Sequence, residues 1–102
     1  MIWQDSVVTE PLACSLTGTD VPERLQAWRL VVATAKAVQR ERPDQLRLAL
    51  PADAAAAAVA LCEAELLCCP FFRFTLELQA GGVSLIIAVP AEGAPLLDEL
   101  VR

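Results

Sequence analysis

Apolar residues recur at helical spacing in two long stretches of the chain. Asp20 begins a capping-box pattern that predicts a helix running to Arg42-Pro43, where proline ends it. Asp53 is placed to cap a second helix over residues 54–69, which Pro70 ends. The apolar stripes that these helices should bury are Val21, Leu25, Trp28, Val32 and Ala35 in the first and Ala55, Val59, Cys62, Leu66 and Cys69 in the second.

Alternation of apolar and polar residues predicts strands elsewhere. Residues 46–50, 72–78 and 83–89 each place an apolar side chain at every second position. Ala80-Gly81-Gly82 lies between the last two segments and predicts a hairpin turn. A short amphipathic helix over residues 95–101, with a proline near its start, follows the last strand.

This order predicts an α+β protein of one domain over residues 1–102. Two long helices and a short C-terminal helix should pack on one face of an antiparallel sheet of three or four strands. Residues 1–11 are expected to form a peripheral strand or arm. The open face of the sheet would carry side chains such as Thr75, Ile86 and Ala88, which are less polar than is usual for a surface in contact with water. A homodimer that covers this face is therefore a hypothesis.

The charge balance and the composition limit the classes of partner and the cellular location that we expect for this protein. The net charge is −5 and the chain has one lysine, so no basic stripe exists for direct nucleic-acid binding. The N-terminal residues lack the pattern of a secretory signal, and no apolar run is long enough to span a bilayer. We therefore expect a cytoplasmic protein, with no membrane partner, whose cysteines are thiols or thiolates.

The cysteines carry the candidate chemistry. They are Cys14, Cys62, Cys68 and Cys69. On the second predicted helix, Glu65 is three or four positions from the last three of them, so these thiols border its side of the helix. Cys68 and Cys69 are adjacent at the helix end, where the backbone changes direction and lets both sulfurs approach a common point. Cys14 lies in irregular chain before the first helix and is the natural third sulfur.

Three thiolates and a carboxylate suit a soft or borderline ion, namely mercury, trivalent arsenic, copper, zinc or cadmium. The absence of histidine favours the soft end of this series. We predict a metal site formed by Cys14, Cys68 and Cys69, in which Glu65 orients the ligands or completes the shell. Cys62 has apolar neighbours on its stripe and is the less favoured ligand, because a free cysteine often fills a core as a small hydrophobe.

The position of the cysteine pair also predicts that its thiols do not ionise easily. A helix C-terminus disfavours negative charge, and Glu65 adds more of it. Arg73 would offset this charge if its side chain folds back, and a bound cation would do the same. We therefore expect thiols that react slowly until a metal activates them, which favours a binding protein over a peroxide-type redox enzyme.

The motif around the cysteine pair is Leu61-x-x-x-Glu65-x-x-Cys68-Cys69-Pro70-Phe71-Phe72-x-Phe74, accompanied by Cys14-x-Leu16 and by Arg24 and Trp28 upstream. Over residues 12–101 it resembles a bacterial domain that occurs alone and attached to MerR-type regulators, a family that senses metals. The resemblance matches Cys14, Glu65, Cys68 and Cys69 and leaves Cys62 as an extra of this chain. It implies soft-metal chemistry in a stand-alone ligand-binding or catalytic unit, since no helix-turn-helix precedes the motif.

Two other functions stay open beside a module that binds or senses a soft metal or another small thiophilic ligand. One is a small thiol-dependent enzyme, similar in logic to organomercurial lyases, in which paired cysteines grip a metal and Glu65 is the candidate acid or base. The other is a structural or partner-binding domain with incidental thiols.

Overall fold

The computed structural model describes residues 20–101. Their elements, in chain order, are α1 (Asp20–Ala33), β1 (Ala37–Arg42), β2 (Gln45–Leu50), α2 (Ala55–Cys68), β3 (Arg73–Gln79), β4 (Gly82–Ala88) and α3 (Ala94–Val101). The strands form one antiparallel sheet in the order β1-β2-β4-β3. The predicted α+β class, with helices on one face of an antiparallel sheet, is confirmed. The predicted arm over residues 1–11 lies outside the described residues.

The core lies between the helices and one face of the sheet. Because side chains alternate along a strand, β2 and β4 each bury every second residue on this face. These residues are Leu46, Leu48 and Leu50 on β2 and Val83, Leu85 and Ile87 on β4. Trp28 of α1 and Leu97 of α3 cover them and are themselves almost completely buried. Burial of one such aliphatic side chain contributes about 1.5–3 kcal/mol to folding. The alternation along these strands therefore determines which face of the sheet is buried.

The β3–β4 hairpin lies where it was predicted, with Ala80 and Gly81 as its two turn residues. Gln79 pairs with Gly82, and Gly81 in the turn has a φ of +88°, a conformation that costs glycine nothing. Glycine is required at position 82 for a different reason, which is lack of space. A Cβ atom at this position would lie 2.5 Å from the carbonyl oxygen of Leu50 on the neighbouring strand.

The predicted extent of the first helix is wrong. The helix ends at Ala33, and Ala37–Arg42 is the edge strand β1, joined to β2 by a turn at Pro43 and Asp44. Every residue of β1 is exposed, so no alternation of burial marks the strand in the sequence. Backbone pairing with β2 determines its conformation, and such pairing overrides local propensity.

The predicted buried stripe of the second helix is correct only in part, because Cys62 and Cys69 are buried but Val59 and Leu66 are not. The side of α2 that faces inward carries Ala58, Cys62 and Glu65, while Val59 and Leu66 are 37% and 42% exposed. Asp53 does not cap this helix, because it lies in a 3-10 turn (Ala52–Ala54) that precedes α2 and makes no side-chain capping hydrogen bond. The rotation of the stripe brings Glu65 into the interior, where it is 4% exposed.

The open face of the sheet carries Thr75, Ile86 and Ala88 in neighbouring strands, as predicted. Charged side chains share that face, since Arg47 forms ion pairs with Glu41 at 2.8 Å and with Glu77 at 3.4 Å. Exposed pairs of this kind contribute little to stability. The homodimer through this face stays a prediction. No helix within residues 20–101 is both long enough and apolar enough to cross a membrane.

Candidate functional site

A buried carboxylate joins the helices α1 and α2. Arg24 and Trp28 are one turn apart on α1, and both side chains reach Glu65 on α2. Nη1 of Arg24 donates to Oε2 of Glu65 at 2.9 Å, and Nε1 of Trp28 donates to the same oxygen at 3.1 Å. A buried carboxylate requires such partners, because an unpaired charge in the interior is costly. The two donors thus explain why α2 can bury a glutamate.

The same arginine reaches the thiol of Cys68. Its Nη2 atom lies 3.9 Å from Sγ of Cys68, a free and half-buried cysteine one turn beyond Glu65. Burial of the guanidinium lowers the pKa of Arg24, but hydrogen bonds to Glu65 and Cys68 and the attraction of these groups raise it by more. The pKa of Arg24 therefore lies above its ordinary value. One fixed positive charge bridges the carboxylate and the sulfur.

The cation beside the cysteine pair is Arg24, whereas the sequence suggested Arg73. Arg73 is an exposed residue of β3, and its neighbour across the strands is Ala88 on the open face of the sheet. The negative charge of Glu65 also has a partner, because Arg24 forms an ion pair with it. The positive charge beside the sulfur of Cys68 therefore comes from a residue on another helix.

Cys62 has different surroundings from Cys68. It is buried and belongs to the hydrophobic core, as a small apolar side chain would. Burial raises the pKa of the Cys62 thiol to about 12, with smaller contributions from the charges of Glu65 and Glu63. A thiol with this pKa is protonated at neutral pH. It is therefore a poor nucleophile and a poor metal ligand.

Cys69 follows the helix and turns into the core. It is 4% exposed and disulfide-bonded, so the expectation of free thiols holds for Cys62 and Cys68 but not for Cys69. Cys14 lies outside the described residues. Within residues 20–101, no group of three or more cysteine or acidic side chains is arranged to hold a metal ion. The convergence of Cys14 with the cysteine pair stays a prediction.

Stacked aromatic rings extend from the carboxylate towards the open face of the sheet. The ring centroids of Trp28 and Phe74 are 5.9 Å apart, those of Phe74 and Phe72 are 5.4 Å apart, and those of Phe72 and Phe71 are 5.0 Å apart. These separations are typical of offset stacking. The stack fixes the Trp28 ring, and with it the donor that holds Glu65.

Sequence reasoning found Glu65 and Cys68 but did not pair them with Arg24 and Trp28. The available signal was the spacing of Arg24 and Trp28, which puts two side-chain donors on one side of α1 beside the buried stripe. Comparison of the chain with protein-family models, with curated proteins and with solved structures gave no significant match. The resemblance to the domain attached to MerR-type regulators therefore stays a prediction.

Proposed function

We propose that this protein binds a soft metal or metalloid ion through cysteine sulfur, with Cys68 as the first ligand. The supporting observation is the half-buried free thiol of Cys68 beside a guanidinium that a buried carboxylate holds in place. A free sulfur at a half-buried position is open to an incoming ion, and cysteine sulfur is the ligand that soft ions prefer. Because the charges of Arg24 and Glu65 cancel, the pair adds little net charge to repel an incoming cation.

The other ligands in this proposal come from nearby cysteines. Cys69 is next to Cys68 in the chain, and its sulfur becomes available once the disulfide is reduced, as expected in a cytoplasmic protein. Cys14 is the proposed third ligand. Glu65 acts by positioning Arg24, and it enters the metal shell only if it releases Arg24 and Trp28.

The test is a titration of fully reduced protein with Cd²⁺, followed by the ultraviolet charge-transfer absorbance of cadmium–thiolate bonds. We expect saturable binding that weakens by more than about a hundredfold in Cys68→Ser, because even changes outside the metal shell cost about ten- to a hundredfold in affinity. Cys62→Ala is the matched control and should bind as the wild type does. Titrations without charge-transfer bands for Cd²⁺, Hg²⁺, Cu⁺ and trivalent arsenic would rule out the proposal.

A second candidate is a thiol-dependent enzyme, and the burial of Glu65 one turn from Cys68 favours it. In this proposal Glu65 takes up the proton that the Cys68 thiol releases when its sulfur binds the metal of an organometallic substrate. Glu65 then passes this proton to the carbon as the carbon–metal bond breaks. Glu65→Gln would then abolish turnover while Cd²⁺ still binds. Unchanged turnover in Glu65→Gln, or its absence in the wild type, would contradict this candidate and leave ion binding as the function.

A further inference from the structure

A groove of about 350 Å³ lies on the open face of the sheet, which is the face away from the helices. Its lining includes Arg42, Asp44, Phe71, Arg73, Ile86 and Ala88. Strand pairing builds its floor, since Arg73 of β3 is opposite Ala88 of β4, which in turn is opposite Gln45 of β2. The volume is near the lower end of the range for small-molecule sites.

The floor and one wall of the groove are apolar. Ile86 and Ala88 are half-buried residues of the central strand β4, and the ring of Phe71 stands beside them. Phe71 is held by its stack on Phe72, at an interplanar angle of 27°. A ring fixed in this way offers a flat surface, and flat aromatic ligands stack well on such surfaces.

The charged residues of the groove leave one positive charge unmatched. Arg42 interacts with Asp44 at 3.6 Å and donates to Gln45 at 2.6 Å. Arg73, in contrast, is exposed and forms no ion pair with an acidic side chain within residues 20–101. In a chain whose net charge is −5, this groove therefore has a local excess of positive charge. Guanidinium groups bind carboxylates through paired hydrogen bonds.

We infer that this groove binds a small aromatic carboxylate. The aromatic ring of the ligand lies against Phe71 and Ile86, and its carboxylate accepts hydrogen bonds from Arg73. Asp44 at the other side of the groove disfavours a second negative charge, so a monoanion fits better than a dianion. This site is independent of Cys68 and of the proposed ion binding, because the groove and the thiol lie on opposite faces of the sheet.

The test uses benzoate as the probe and nuclear magnetic resonance of the ¹⁵N-labelled full chain. Addition of benzoate should move the amide signals of Thr75, Ile86 and Ala88 in a saturable way. Benzyl alcohol, which lacks the charge, should bind at least about fivefold more weakly, as should benzoate to Arg73→Gln. Lys36→Gln is the matched control, since it removes one exposed positive charge at the hairpin end of the sheet, where Lys36 donates to the carbonyl of Gly81.

A second variant tests shape rather than charge. Ala88→Leu should fill the floor and weaken benzoate binding by a similar factor while Arg73 is retained. Amide spectra of the variants report whether the fold is intact. The inference is overturned if benzoate moves no signals, if benzyl alcohol binds equally well, or if Lys36→Gln weakens binding as much as Arg73→Gln. It is also overturned if dilution alone moves the same signals, because a second copy of the chain would then cover this face.

Discussion

Cys62 and Cys68 are free cysteines on the same helix, yet their surroundings give them opposite chemistry. Cys62 lies in the middle of α2 against the core, where burial and two glutamates keep its thiol protonated. Cys68 lies in the last turn, where a guanidinium from α1 approaches its sulfur. The comparison shows that two cysteines of one helix can have very different surroundings, and we expect their reactivity to follow those surroundings.

Glu65 takes part in both environments. Its charge contributes to the raised pKa of Cys62, and its ion pair holds Arg24 where the guanidinium reaches Cys68. One buried carboxylate thereby disfavours the thiolate of Cys62 and positions the guanidinium that lies next to Cys68. Changes at Glu65 and at the two cysteines are consequently the most direct ways to test the comparison.

The largest expected difference is in thiol alkylation. With a pKa of about 12, Cys62 has about a thousandfold less thiolate at pH 8 than a cysteine with the ordinary value of 9.0. The core also shields Cys62 from the reagent. In folded protein, iodoacetamide should therefore label Cys68 at least about a hundredfold faster than Cys62, as measured by mass spectrometry of peptides. In urea the two rates should become similar. Equal rates in folded protein would refute the contrast.

Removal of the Glu65 carboxylate should have the next largest effect. Glu65→Ala leaves Arg24 and Trp28 without their acceptor and should lower the free energy of unfolding by about 2–4 kcal/mol. The side chain of Arg24 is 20% exposed and can still reach water, which keeps the loss below that of a fully buried pair. Urea unfolding measures this change. Glu63→Ala is the control and should alter stability by less than about 0.5 kcal/mol; equal effects would show that the buried pair is unimportant.

The raised pKa of Cys62 predicts a pH dependence of stability. The unfolded chain releases this proton near pH 9.0, whereas the folded chain keeps it up to about pH 12. Between these values the folded state binds more protons, so the free energy of unfolding falls with rising pH, by up to about 1.4 kcal/mol per pH unit. Below about pH 9.0 the contribution of Cys62 to the free energy of unfolding does not change with pH. Cys62→Ala should lack this part of the slope in urea titrations from about pH 8 to about pH 11, and an identical slope in both proteins would contradict the assignment.

The smallest expected effect is on folding stability, and it depends on how tightly each cysteine is packed. Cys62→Ser places a hydroxyl group in apolar surroundings and should cost about 1–2 kcal/mol at neutral pH. Cys68→Ser, at a half-buried position, should cost less than about 0.5 kcal/mol. Thermal or urea unfolding of the two variants gives the comparison. A larger loss for Cys68→Ser would mean that this thiol serves mainly in packing.

The strands that form the core could be predicted because their alternation reflects burial directly. Leu46, Leu48 and Leu50 are all buried, and Gly81 adopts the positive φ expected in the hairpin turn. The edge strand β1 could not be predicted in this way. All its residues are exposed, and only pairing with β2 makes the segment a strand.

The site could be predicted only in part, because its polar contacts join distant segments. The alanine-rich sequence of α2 gives little contrast between its sides, so a stripe with Val59 and Leu66 fitted helical spacing better than one that contains a glutamate. Glu65 can be buried because its partners Arg24 and Trp28 approach it across 41 and 37 positions of sequence. Spacing along one helix indicates which side chains are neighbours on it, but it does not show which donors another helix provides.

X-ray absorption at the mercury edge, measured on reduced protein loaded with one equivalent of Hg²⁺, tests the central proposal most directly. The wild type and Cys62→Ala should show the same sulfur neighbours at mercury–thiolate distances, and Cys68→Ser should show fewer. A spectrum of Cys68→Ser identical to that of the wild type, or a loss of sulfur neighbours in Cys62→Ala, would contradict the proposal that Cys68 is the binding thiol.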